Sequence, residues 1–185
     1  MIGNKLEQDI VHLYDSNLVN LFSINQISQK LGKRYPYINK KVSMMLKSGI
    51  MNRIVVGRSH LCSLNLDNYR TLLLLSMNEL NKKKPAVAGE VMAFAEKNSL
   101  STTLLSVVYY KNTLLFVVDD LRDRRTIQRS FPKAVVVDKP ALLDMLSTDS
   151  ELFRNHKVLY GFENFFTLLR LELDEIKRLY SPLKY

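Results

Sequence analysis

Asp119 and Asp120 stand side by side at the end of an apolar run, LLFVVDD, which is where a metal-dependent active site would begin. Two carboxylates at the end of a strand can bind a divalent ion that activates a phosphoryl transfer. Adjacent side chains on a strand point to opposite faces, so this pair does not grip one ion while the strand continues. Asp138, closing the run AVVVD, supplies a further carboxylate, which alone does not hold two ions. Other catalytic patterns are missing. The six glycines are scattered singly and form no phosphate-cradling loop. His12, His60 and His156 lack metal-ligand spacing, and no serine sits in a nucleophile-elbow setting. Glu172 and Glu175 lie in a charge-rich helical stretch that reads as a solvated face. Cys62 is the only cysteine, which excludes an intramolecular disulfide and a cysteine-rich metal site. No catalytic residue, metal or cofactor is therefore expected.

A second kind of chemistry, recognition of a polyanion, has stronger support. The net charge of +9 is unevenly placed: residues 1–84 hold 13 Lys and Arg against 5 Asp and Glu, while residues 85–185 hold 14 against 13. Lys30, Lys33, Arg34, Lys40, Lys41, Lys47, Arg53 and Arg58 occupy one stretch with no acidic residue among them. A solvated face normally mixes both signs, so this stretch points to a polyanionic partner. The 46% hydrophobic and 24% charged content are those of a folded chain. No apolar run approaches the ~20 residues that cross a bilayer, and the start MIGNKLEQDI lacks a secretory pattern. A cytoplasmic protein that does not enter membranes is expected.

The elements that must present the basic residues can be read from periodicity. Leu6, Ile10 and Leu13 recur at helical spacing. In SINQISQKL, Ser23 and Gln26 form a capping-box pattern ahead of a short helix whose stripe is Ile24, Ile27 and Leu31. Gly32 and Pro36 mark the next turn, and a third helix is expected over Tyr37–Lys47. A 100° step puts Ile38, Val42, Met45 and Leu46 on its inner side and Lys40, Ser43, Met44 and Lys47 opposite, with Tyr37 and Lys41 on the flank. Ile54, Val55, Val56, Gly57 and the run Leu61–Leu64 then read as a hairpin.

Helix, short helix, basic helix and hairpin is an order that resembles the winged helix-turn-helix DNA-binding domains of prokaryotic transcription regulators. The SINQISQKL, YINKKVSMMLKSGIM and GRSHLCSLN stretches, within residues 5–66, carry that resemblance. It implies that Tyr37, Asn39, Lys40, Lys41, Ser43, Met44 and Lys47 lie on or beside a recognition helix in the major groove of double-stranded DNA. Lys33 and Arg34 join them, with Arg53, Arg58 and His60 in a wing near the adjacent phosphates or minor groove. The lysines suit phosphate better than base edges, since bidentate reading of guanine favours arginine. Sequence choice is then expected from Asn39, Ser43 and DNA shape.

Three segments follow: 1–66 as the DNA-binding domain, 67–84 as a connecting helix, and 85–185 as a small α/β domain, giving an α+β chain. Tyr69 to Leu80 carries four consecutive leucines, apolar on nearly every side, and must be buried between domains or in a homodimer. Beyond it a helix with Val87, Val91, Phe94 and Ala95 on one face precedes alternating strands and helices. The order helix, strand, strand, helix, strand, helix, with VVVDKPALLDML and KVLYGFENFFTLL, resembles the minimal nucleotidyltransferase fold. Active members carry a Gly-Ser turn and an Asp-x-Asp pair. Here Tyr109 and Tyr110 stand near the first, and Lys111, Asn112 and Thr113 occupy the second. The resemblance implies an inactive domain used for ligand sensing or assembly. A divergent nucleotidyltransferase that holds its substrate with the winged helix, and an RNA- or protein-interaction module, remain as alternatives.

Overall fold

The computed structural model describes residues 5–18 and 20–171. Helices and strands are mixed along the chain, an α+β composition, and the chain divides into two units, one ending at Asn78 and the next starting at Glu79.

In the first unit, α1 (Lys5–His12) buries Leu6, Ile10 and Val11, and α2 (Ile24–Leu31) buries Ile27. The capping box forms in full. Ser23 Oγ accepts from the Gln26 amide and Gln26 Oε1 accepts from the Ser23 amide, so two otherwise orphaned donors are satisfied. Gly32, at φ 60°, closes the helix in the left-handed region. The third helix, α3 (Tyr35–Lys47), begins before the expected Tyr37. Pro36 sits in its first turn, where its lack of an N–H has no cost. β1 (Met51–Val56) and β2 (Ser59–Leu64) pair antiparallel. The hairpin base is fixed on its β2 side. Phe22 and Cys62 exchange backbone hydrogen bonds of 3.1 and 2.8 Å, and the buried Tyr14 hydroxyl donates to the Cys62 carbonyl at 2.9 Å. Asn68 caps α4 (Tyr69–Asn81) by accepting from the Arg70 amide. Leu72, Leu74 and Leu75 of that helix are buried within a single chain.

The second unit is a four-stranded sheet with helices on both faces. After α5 (Ala88–Asn98) come β3 (Leu104–Tyr110) and β4 (Thr113–Val118). They form a hairpin closed by Lys111 and Asn112, both at positive φ (44° and 62°), the two-residue turn whose twist suits antiparallel strands. A 3-10 turn (Leu121–Asp123) and α6 (Arg124–Ser130) lead to β5 (Val135–Val137), parallel to β4. Then come α7 (Lys139–Thr148), α8 (Ser150–Asn155), β6 (Lys157–Tyr160) and α9 (Phe162–Leu171), giving sheet order β5-β4-β3-β6. The sequence expectation contains no α8; Asp149 starts it by accepting from the amides of Glu151 and Leu152. The part of the expected last helix beyond Leu171 lies outside the described residues.

One sheet face packs Val107, Phe116, Val118, Val136 and Leu159 against Val91, Phe94 and Ile127. At Val158 the β6 backbone is satisfied by side chains. Glu79 Oε2 accepts from its amide at 3.1 Å and Lys84 Nζ donates to its carbonyl at 2.8 Å, which closes a strand edge to foreign pairing. Gly161, at φ 67°, passes so close to Leu105 that a Cβ would lie 1.9 Å from its carbonyl oxygen.

Candidate nucleic-acid interface

Helix α3 is held from inside by Ile38, Val42 and Met45, all fully buried. This fixes which residues face out. Tyr37 and Met44 are 58% and 52% exposed, and Lys40 and Lys47 are exposed beside them. Positions 37, 40, 44 and 47 repeat at helical spacing, so they make one stripe along the outer surface. Asn39 and Ser43 are half-buried, within reach of a ligand lying on that stripe but not foremost.

Lys41 departs from the sequence expectation and does not belong to the binding set. It is 8% exposed, and its Nζ donates to Glu7 Oε1 at 2.8 Å. Arg70, from the first turn of α4, donates to Glu7 Oε2 at 2.9 Å. The three residues tie α1, α3 and α4 together around one carboxylate. Burial alone would raise the Glu7 carboxyl. The Lys41 hydrogen bond and the charges of Lys41 and Arg70 outweigh burial and hold it below the usual glutamate range. This lysine positions the helix and offers nothing to a phosphate.

The remaining cations surround the stripe in sequence. Lys33 and Arg34 are exposed in the turn before α3, and Arg53, Arg58 and His60 are exposed on the β1–β2 hairpin. Between Asp15 and Asp67 the chain has no acidic residue. Lys33, Arg34, Lys40, Lys47, Arg53 and Arg58 enter no ion pair among the described residues. Lys30 is anchored instead, its ammonium 5.2 Å from the centroid of the Phe22 ring. Sequence reasoning missed Tyr35, which is 47% exposed in the first turn of α3. Pro36 is the signal that points to it, because a proline in a first turn places its predecessor at or inside the helix start.

The carboxylates of the second unit are dispersed into local roles. Asp119 Oδ1 meets Lys139 Nζ at 2.7 Å. Asp120 accepts from Arg122 Nε at 2.6 Å and from the Arg122 amide at 2.9 Å, and these hydrogen bonds hold its carboxyl below the ordinary aspartate value. Asp138, considered from sequence as a further metal carboxylate, is the N-cap of α7 and accepts from the Ala141 amide at 2.9 Å. Lys111 and Asn112 are the hairpin turn itself, so two residues separate β3 from β4 where the nucleotidyltransferase resemblance calls for a Gly-Ser turn and an acidic pair. Among the described residues, no group of three or more His, Cys, Asp or Glu is placed to hold a metal ion.

No family model, curated protein or solved structure matches this chain. Its function is to be sought in the surface geometry and charge set out above. None of the described helices is long and apolar enough to cross a membrane.

Proposed function

We propose that the chain is a DNA-binding transcription regulator of winged helix-turn-helix type. In this reading α3 is the recognition helix in the major groove and the β1–β2 hairpin is the wing. The observation that carries the reading is the outer surface of α3, where Lys40 and Lys47 are exposed beside Tyr37 and Met44 and enter no ion pair among the described residues. A major groove about 12 Å wide admits one helix. Exposed lysines set along that helix answer phosphates by neutralising charge and releasing counterions. Lys33 and Arg34 before the helix, and Arg53, Arg58 and His60 on the hairpin, extend the contact to neighbouring phosphates.

The second unit is read as nucleotidyltransferase-like in shape and without that chemistry, serving ligand sensing or assembly. What supports an inactive unit is the use of Asp119, Asp120 and Asp138 in an ion pair and two helix caps. Pairing of two copies through α4 belongs to the same reading, because regulators of this type read two half-sites as dimers.

The test is fluorescence anisotropy of the whole chain with a duplex from its own upstream region and a scrambled duplex, each over a salt series. Preference for the upstream duplex that persists near physiological salt supports a specific regulator. Equal and steeply salt-dependent binding to both supports architectural contact instead. Tighter binding of a structured RNA at equal salt would replace the duplex as partner, and no binding to any of them would overturn the reading.

A further inference from the structure

Charge accounts for the outward lysines of α3 but not for the apolar side chains beside them. At 100° per residue, Tyr37 and Met44 fall within about 20° of each other and form one line along the outer surface. Lys40 and Lys47, also within about 20° of each other, form a second line about 60° to the side. Asn39 and Ser43 lie beyond the lysines on the other flank, half-buried. Tyr37 is 58% exposed and Met44 52%. Single exposed apolar residues need no explanation. Two large ones aligned two turns apart, next to lysines that enter no ion pair among the described residues, do.

The chemistry of the groove selects the contact. On the floor of the major groove the bases present hydrogen-bonding groups, and thymine adds a C5 methyl, the one apolar group among them. A thioether and a phenol ring gain little against bare donors and acceptors, and gain by covering a methyl. The methionine chain is unbranched and polarizable, so it adapts to an uneven surface. Lysines on the adjacent line have stems long enough to carry their charge away from the base edges to the phosphates. A second copy of the helix seated on the same line would instead bring lysine against lysine.

On the DNA-binding reading above, we propose that Met44 and Tyr37 are specificity-determining residues and that they select thymine by covering its C5 methyl. Sequence choice then shifts from Asn39 and Ser43, which stand back from the surface, to the apolar line. Seven residues of helix advance about 10 Å and one base pair about 3.4 Å, so the two side chains reach separate base pairs. The same contact separates DNA from RNA. Uracil has no such methyl, and the major groove of A-form RNA is too deep and narrow for side chains to read.

The experiment uses the whole chain and the tightest-binding duplex selected from a random pool. Anisotropy compares that duplex with one in which deoxyuridine replaces every thymidine, which removes the methyls and keeps the base pairs and phosphates. One covered methyl is worth about fourfold in affinity and two roughly fifteenfold, the loss expected of wild type on the uridine duplex. The salt slope should be the same on both, because the phosphate contacts are unchanged. Tyr37→Ala with Met44→Ala should bind the two duplexes nearly equally, and both more weakly than wild type binds the thymine duplex. If that double variant melts abnormally, Met44→Gln, which keeps chain length and helix propensity, replaces it and should cut the discrimination by about fourfold. Equal binding of both duplexes by wild type overturns the methyl contact and leaves the DNA reading standing. So does an equal loss in wild type and variant, which would trace to the duplex itself. A structured RNA bound more tightly than the selected duplex overturns both, and so does failure to bind any duplex.

Discussion

Residues 1–84 and 85–185 hold nearly equal numbers of cations, 13 and 14, but the acids that could answer them are placed differently. In the first segment the key carboxylate, Glu7, is inside, where it holds Lys41 and Arg70, and the other cations of α3 and the hairpin enter no ion pair among the described residues. In the second, three neighbouring surface carboxylates are answered locally: Asp119 by Lys139, Asp120 by Arg122, and Asp123 by the amide and hydroxyl of Thr103. A charge satisfied by its own chain offers little to a ligand, so on the proposed reading the first segment presents the binding face while the second carries caps and clasps. The same contrast appears one residue apart on α3, where Lys40 faces out and Lys41 faces in.

The strongest way to break that contrast is to remove each lysine in turn. Lys41→Ala removes one cation from the buried Glu7 carboxylate, and losing one partner of a buried pair costs about 3–5 kcal/mol. Lys40→Ala, on an open surface, should stay within about 0.5 kcal/mol of wild type. Urea denaturation of the two variants measures both, and equal costs would show that Lys41 is no more structural than its neighbour.

Acid should reveal the same carboxylate from the other side. A group whose folded pKa is depressed adds stability that is present above its unfolded value, 4.5 for glutamate, and that is lost as pH falls through the folded value. The melting temperature of wild type should therefore drop below about pH 4.5. Glu7→Gln should melt lower at neutral pH and lose less on acidification, and parallel curves for the two proteins would remove Glu7 from the account.

Much of this arrangement is legible in the sequence, and the reasons for the rest are physical. The Ser23–Gln26 box and the Gly32 stop are local, so their signals act through bonds spanning a few residues, and they form as the sequence implies. Lys41 is misplaced by periodicity, which assigns a side chain to a face of its own helix and is blind to a partner 34 residues away. The same reading starts α3 too late, although Pro36 carries the correction. Asp138 can be weighed as a metal ligand, yet an aspartate just ahead of Lys139 and Pro140, at a strand-to-helix junction, is equally the signature of an N-cap. The hairpin at Ile54–Val56 reads from sequence as an ordinary strand, since sequence alone does not say that Val55 stays 62% exposed.

The outward lysines sharpen the contrast through salt rather than stability. Removing Lys40 and Lys47 together should leave the fold intact and weaken DNA binding. It should lower the slope of log affinity against log salt by about 2, near 0.9 for each phosphate that is no longer neutralised. An unchanged slope in the folded double variant would place the DNA-binding surface elsewhere.

In the second unit the expected effects are smaller and separable. Asp138→Ala removes a helix cap and should cost about 1 kcal/mol, measured by the shift in denaturation midpoint.

Asp119→Asn is the smallest and the most discriminating change. Asp119 and Lys139 form a half-exposed pair, and such pairs contribute about 0–1 kcal/mol, so the melt should barely move. DNA binding and its salt slope should not move at all, because the cations that produce the slope lie in the other unit. An aspartate that bound an activating metal would behave differently, since neutralising it would abolish a metal-dependent transfer while sparing the fold. Loss of DNA binding in a normally melting Asp119→Asn protein would show that the surface charges of the second unit are not confined to local roles. The contrast between the two units would then fail at the residue where a catalytic reading of this sequence begins.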